Sequence, residues 1–359
     1  MLEVDIKKRL PGFTLEVAFS VNREILSILG RSGSGKTMTL LSIAGLLCPD
    51  EGYIKINGNV LFDSAKKICL PAQKRNIGFV FQNYALFPHL TVRENIAYGI
   101  RHLPKQEIQE KTCQLLSLIH IPDLGHRYPN ELSSGQQQRV ALARAIAPSP
   151  GVLLLDEPFS ALDALRKEQL EYELLALQQV YSGDIIFVTH DLAQGYKLGS
   201  KMAVYEAGRI VQCDAKQKVV YSPINRSVAR LIGVRNLVDG KVTKIADNHV
   251  WVKIDSVCAE LKVITEESSQ YAVGQEVIIG IRPECVRICQ NNEENTVACM
   301  LERYIEGVDI NHVRFNTCKD GSGGYLIDAN IPTGMMPQLS AGHECKLYLP
   351  PEHLIILNR

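Results

Sequence analysis

One octapeptide limits the possible folds of this chain more than any other segment. Gly30-Arg31-Ser32-Gly33-Ser34-Gly35-Lys36-Thr37 stands between an apolar run, Ile25-Leu26-Ser27-Ile28-Leu29, and a stretch with helical character over 36–46. It matches G-x-x-x-x-G-K-[ST] in the strand–loop–helix setting that motif requires. Glycines let the backbone curl so that successive N–H groups face inward toward phosphate oxygens. The helix N-terminus adds partial positive charge at the same place. In such a loop Lys36 reaches the β- and γ-phosphates, and the Thr37 hydroxyl can ligate Mg²⁺. A strand feeding a phosphate-binding helix implies an α/β domain around a largely parallel sheet.

The texture of the first ~235 residues agrees with that class. Buried strands are predicted at 25–29, 77–81, 152–155 and 185–188. Helices are predicted at 36–46, 105–120, 135–147, 163–181 and 192–198, the fourth being rich in good helix formers. After about residue 236 long helical patterns stop, and short alternating strands such as Val250-Trp251-Val252-Lys253-Ile254 take over. This second part contains a repeat. Gly274-Gln275-Glu276 and Pro283-Glu284-Cys285-Val286-Arg287-Ile288 match Gly342-His343-Glu344 and Pro351-Glu352-His353-Leu354-Ile355-Ile356 at a constant offset of 68 residues. Repeated short strands predict small barrels of the oligonucleotide/oligosaccharide-binding type. The expected division is 1–236 and 237–359.

Bulk properties remove several alternatives. The 359 residues carry 39 basic and 39 acidic side chains, so no charge surplus points to nucleic acid as a partner. No stretch approaches the ~20 apolar residues of a spanning helix. The start, Met1-Leu2-Glu3-Val4-Asp5, lacks the basic and then apolar pattern of a secretory signal. A cytoplasmic protein is therefore expected. Ten scattered cysteines form no Cys-x-x-Cys pair. They read as reduced, mostly buried thiols and not as a metal site.

A second element of the phosphate chemistry ends an apolar strand, Val152-Leu153-Leu154-Leu155-Asp156-Glu157. Alone, an Asp-Glu pair after a strand is usually a solvated loop. Beside a phosphate loop, with the two strands as neighbours in the sheet, Asp156 can hold Mg²⁺ through water and Glu157 can act as general base toward the attacking water.

Leu132-Ser133-Ser134-Gly135-Gln136-Gln137-Gln138-Arg139 precedes a helix about twenty residues before that strand. It resembles the signature sequence of the ABC ATPases, with Ser134 where the family usually has glycine. The resemblance implies an ABC ATPase domain with a helical subdomain over about 83–150. It also implies that Ser133, Ser134, Gly135 and Gln136 close over a nucleotide held by the phosphate loop of a second subunit, so that ATP and Mg²⁺ sit in a homodimer. Gln82 resembles the family glutamine that reaches Mg²⁺ and the attacking water. Ser160-Ala161-Leu162-Asp163 resembles the loop that crosses between monomers. His190, at a strand end where ligands collect in α/β sheets, matches the histidine that contacts the γ-phosphate. Phe13 is the candidate for stacking on adenine, with a core strand residue as the alternative.

The segment from Asn83 to Ile96, containing Leu86-Phe87-Pro88, is similar to the permease-docking stretch of bacterial importer ATPases. Ile281-Arg282-Pro283-Glu284 resembles a motif of the regulatory β-barrel domain that importer subunits carry. The resemblance therefore implies an importer ATPase on the cytoplasmic face of the membrane. Its expected partners are two integral-membrane permease subunits and, indirectly, a solute-binding protein. The approach to Gln82 through Ile68-Cys69-Leu70 is most similar to molybdate importer ATPases. Molybdate is the expected cargo, with sulfate, tungstate, iron(III) and polyamines as alternatives. A non-transport soluble ABC ATPase is the alternative from a different class.

Overall fold

A computed structural model of the chain describes all residues except 161–163, 182, 267, 290–293, 318–323 and 336–341. The chain divides into two compact units, Met1–Lys216 and Gln217–Arg359. This division falls upstream of the change of texture at 236.

The first unit runs β1 (Leu2–Leu10), β2 (Phe13–Val21), β3 (Ile25–Gly30), α1 (Lys36–Ala44), β4 (Glu51–Ile56), β5 (Asn59–Asp63), β6 (Ile68–Cys69), β7 (Ile77–Val80), α2 (Val92–Ala97), α3 (Lys105–Leu118), α4 (Ser134–Ile146), β8 (Val152–Asp156), α5 (Ala164–Val180), β9 (Asp184–Thr189), α6 (Leu192–Leu198), β10 (Lys201–Glu206) and β11 (Arg209–Ala215). These strands form one eleven-stranded sheet in the order β6-β5-β4-β1-β2-β11-β10-β3-β9-β8-β7. The run β10-β3-β9-β8-β7 is parallel. The wing from β6 to β2 is antiparallel, so the sheet is mixed where a largely parallel one was expected. Every residue of β3, β8 and β9 is buried, as strands covered on both faces must be. Leu154 lies in this core at 0 % exposure, and Leu154→Ala costs about 2–5 kcal/mol.

The segment 92–147 builds a second cluster from Val92, Ile96, Leu116, Val140, Ala143 and Ala147. Helix α4 serves two cores. Its Val140 and Ala143 join that cluster, while Ala141 and Ala145 pack toward β8 and β9.

The second unit comprises α7 (Lys216–Tyr221, beginning at the boundary), α8 (Arg226–Leu231), and then β12 (Asn236–Ala246), β13 (His249–Ile254), β14 (Ala259–Ile264), β15 (Glu276–Ile281), β16 (Arg287–Ile288), β17 (Thr296–Ile305), β18 (Ile310–Asn316), β19 (Leu326–Pro332), β20 (Glu344–Tyr348) and β21 (Ile355–Asn358). The strands form two five-stranded sheets, β14-β13-β12-β15-β21 and β16-β20-β17-β18-β19. Both are antiparallel and contribute to one shared apolar core.

The 68-residue repeat appears here as an exchange. Gly280 pairs with Ile355, and Tyr348, its counterpart 68 residues on, pairs with Arg287. The last strand of each repeat therefore completes the sheet of the other. Both repeats turn at a left-handed glycine, Gly274 (φ 89°) and Gly342 (φ 86°). Their N–H groups donate to the equivalent carbonyls of Val242 and Leu301. Arg282 explains its place in the Ile-Arg-Pro-Glu motif. Its Nη2 donates to the Val220 carbonyl at 2.7 Å and its Nε to that of Ile232 at 3.3 Å, tying α7 and the end of α8 to the sheet.

Candidate functional site

Parallel register brings the chemistry to one edge of the sheet. Leu29 lies opposite Thr189, Asp156 opposite Val188, and Val80 opposite Leu155. The residues that follow these strands, namely the 30–37 loop, His190, Glu157 and Gln82, leave the sheet side by side at its carboxyl edge. The carboxyl ends of the parallel strands are where ligands bind in open α/β sheets.

The loop from Gly30 to Thr37 holds left-handed φ at Gly33 (78°) and Gly35 (101°). At Gly33 a side chain would meet nothing within 4 Å, so only the left-handed backbone resists one there. Helix α1 begins with no side-chain cap, which leaves its N-terminus to a ligand. Ser34 Oγ is buried with no hydrogen-bond partner. Lys36 is 6 % exposed, and its ammonium donates to the carbonyls of Gly30 (2.9 Å) and Arg31 (3.0 Å). Burial pulls its pKa below that of an ordinary lysine, with Glu157 and Asp156 opposing the shift. An uncapped helix, an orphaned hydroxyl and a buried ammonium fit a triphosphate.

Thr37 Oγ1 donates to Asp156 Oδ1 at 3.2 Å. Their strands are not neighbours as expected, because β9 lies between β3 and β8. The contact forms because Thr37 sits on α1, which packs across the sheet toward β8. Burial raises the Asp156 pKa, the bond from Thr37 opposes this, Glu157 adds to it and Lys36 opposes it. A buried carboxylate beside a hydroxyl is a hard-oxygen donor set that suits Mg²⁺. Glu157 follows at φ 44°, its N–H bonded to the Val188 carbonyl. One of its carboxylate oxygens is 3.4 Å from His190 Nδ1. His190 is exposed, and a small 150 Å³ cavity is lined by both residues with Ser160, Lys167, Thr189 and Asp191.

Gln82 is exposed, just beyond β7. The turn after it is strained at Tyr84 (φ 61°) and Ala85 (φ 45°). Arg144 of α4 clamps that turn by donating to the carbonyls of Ala85 (2.7 Å) and Tyr84 (2.9 Å). Asn95, fully buried, holds the next stretch through the backbone of Phe87, Leu90 and Thr91. Sequence reasoning missed both residues, since one arginine on an amphipathic helix reads as solvated. Leu86 and Phe87 are half-buried, and Pro88 is exposed.

Ser133 is the N-cap of α4. Its N–H donates to Gln136 Oε1 (3.0 Å) and its Oγ accepts from Gln136 N–H (3.4 Å), a reciprocal capping box. Ser134 is the first helical residue and is absent from the positive-φ positions, so serine replaces glycine there without backbone strain. A 240 Å³ cavity at this end is lined by Ser133, Gly135, Gln136, Arg139, Gln169 and Leu170, with no phosphate-loop residue among them.

Phe13 is half-buried at the start of β2, where its ring faces Gly35. A Cβ there would lie 3.1 Å from Phe13 Cζ. Asp163 lies outside the described residues. No helix among the described residues is long and apolar enough to cross a membrane. The cysteines depart from expectation, since Cys48, Cys69, Cys113 and Cys258 are exposed. Cys48 lies in the loop after α1 and Cys258 in a turn, Cys69 ends the edge strand β6, and Cys113 sits on an exposed position of α3.

Residues 15–160 match the family model described as ABC transporter. The chain is similar to the spermidine/putrescine import ATP-binding protein PotA of Oleidesulfovibrio alaskensis, with 38% identity over 74% of this chain and 70% of that protein. The same-named protein of Trichodesmium erythraeum is 40% identical over 76% and 71%. That of Legionella pneumophila is 36% identical over 88% and 84%. Among solved structures, the ATP-binding cassette MJ0796, a dimer in a post-hydrolysis state bound to ADP and Pi, superposes with TM-score 0.53 and 28% identity over 60% of this chain and 99% of that one. The chain thus belongs to the ABC transporter family, as the ATP-binding subunit of an importer.

Proposed function

We propose that this chain hydrolyses ATP to drive import of a polyamine of the spermidine/putrescine class. The supporting observation is the likeness, at 36–40% identity, to import subunits named for those cargoes across several bacterial lineages. This reading replaces molybdate as the first choice. The Ile68-Cys69-Leu70 likeness covers a few residues, whereas the polyamine likeness covers most of the chain. The motor's site itself carries no information about cargo, since its residues face nucleotide.

In this reading the loop from Gly30 through Arg31, Ser32, Gly33, Ser34 and Gly35 to Lys36 and Thr37 wraps the triphosphate. Thr37, Asp156 and Gln82 hold Mg²⁺, which when bound spreads the charge of the β- and γ-phosphates. Glu157 takes the proton of the attacking water, and His190 steadies the γ-phosphate side. Phe13 lies against the adenine. Ser133, Ser134, Gly135, Gln136 and Asp163 act across a head-to-tail homodimer. Two permease subunits and a solute-binding protein complete the assembly, with this subunit peripheral on the cytoplasmic face.

Disrupting the gene in its own host and following labelled spermidine, putrescine and molybdate tests the cargo. Loss of polyamine uptake with molybdate uptake intact is expected, and the reverse pattern would return the assignment to molybdate. Mixing a Lys36→Ala subunit with a Ser133→Arg subunit tests the dimer. Each is inactive alone, and the mixture regains activity because one of its two composite sites is intact.

A further inference from the structure

Cys48 and Cys69 are 21 residues apart in sequence, yet their sulfurs lie 3.2 Å from each other, and both side chains are exposed. Both ends of this contact are held by defined backbone. Cys48 follows the closing turn of α1, where the N–H groups of Leu46 and Leu47 donate to the Leu41 carbonyl. Cys69 ends β6, paired opposite Phe62, and the next residue, Leu70, donates to Leu61. Arg75, 2 % exposed, stitches the two sides. Its Nη1 donates to the Ser42 and Ile43 carbonyls at the end of α1, and its Nε donates to the Leu70 carbonyl. Its Nη2 lies 3.9 Å from the Cys69 sulfur.

We infer that Cys48 and Cys69 are a modification site, a thiol pair that closes to a disulfide under oxidation and clamps the end of the phosphate-loop helix to the sheet edge. The sulfurs need to approach by only about 1 Å to reach bonding distance. The oxidant belongs to the class of small disulfides such as glutathione disulfide. The Cys69 thiolate attacks one sulfur of the oxidant, forming a mixed disulfide and releasing one glutathione thiolate. The Cys48 thiolate then attacks the Cys69 sulfur, and the second glutathione leaves. The two thiol protons end on the two glutathiones, and the two electrons reduce the oxidant. A second close pair, Cys299 and Cys345 at 3.4 Å on adjacent strands, is less accessible, with Cys299 5 % exposed. Exposure puts the Cys48–Cys69 pair first in reach of a soluble oxidant.

The full chain, incubated with glutathione disulfide, alkylated and digested without reductant, gives the test by peptide mass spectrometry. A Cys48–Cys69 cross-linked peptide is expected, reversed by dithiothreitol and missing from Cys48→Ser and Cys69→Ser. Oxidation should raise the first unit's unfolding midpoint by on the order of 5–10 °C and leave that of Cys48→Ser unmoved. Glutathione adducts alone, pairing of either cysteine elsewhere, or a cross-link with no rise in midpoint would each overturn the inference. None of these readouts depends on the cargo or on ATP turnover.

Discussion

Thr37 Oγ1 and Asp156 Oδ1 meet at 3.2 Å although a whole strand, β9, separates β3, which leads into the helix that carries Thr37, from β8, which ends at Asp156. The bond marks the point where helix α1 crosses the sheet, and the charge of Lys36 acts on the same buried carboxylate. Burial raises the Asp156 pKa above its ordinary 3.8, so the folded chain binds that proton more tightly than the unfolded chain does. Below pH 3.8 both states are protonated and the group costs nothing. As pH rises toward and through the raised value, the folded state must ionise a buried acid, and stability falls. Asp156→Asn should therefore stabilise the nucleotide-free protein by about 0.5–1 kcal/mol at neutral pH. The gap should close as pH falls toward 3.8, read by thermal unfolding, while Mg²⁺-dependent ATP hydrolysis drops on the order of 10²-fold.

Glu157 stands between the His190 ring and the end of β8. Glu157→Gln keeps the shape of the side chain and removes the base. Size-exclusion chromatography with ATP is expected to show a stable dimer, with turnover reduced by about 10²–10⁴-fold. A monomer that hydrolyses ATP at the parent rate would remove Glu157 from that role.

Arg144 forks onto two carbonyls of a turn with consecutive positive φ values. Arg144→Ala should cost about 1.5–3 kcal/mol and speed amide exchange at Tyr84 and Ala85. Arg144→Lys should recover only part of this, since an ammonium cannot reproduce the planar fork.

Gly274 and Gly342 occupy equivalent left-handed turns in the two exchanged repeats. An added methyl would meet only Lys241 Cε at 3.9 Å in the first case and nothing within 4 Å in the second. Alanine at either site therefore suffers backbone strain alone. Each is expected to cost about 1–2 kcal/mol, equal for the two sites in denaturant titration. A large inequality would mean that the repeats are not energetic equivalents.

Local pattern carried much of this protein. The phosphate loop, the all-apolar strand before Asp156, the Ser133 loop that leads into a helix and the 68-residue repeat were legible because each depends on residues close in sequence, where spacing dictates backbone geometry. Contacts between distant segments were not. Which strand lies between β3 and β8, which repeat receives β16 and β21, which carbonyls Arg144 reaches and which cysteines touch are all set by how whole elements pack. Cys285 and Cys289 are the closest pair in sequence, yet Cys48 and Cys69 are the pair whose sulfurs lie 3.2 Å apart. Chain order fixes local conformation through short-range sterics and hydrogen bonding, whereas long-range pairing follows from burying many apolar faces at once, and only the folded chain displays that outcome.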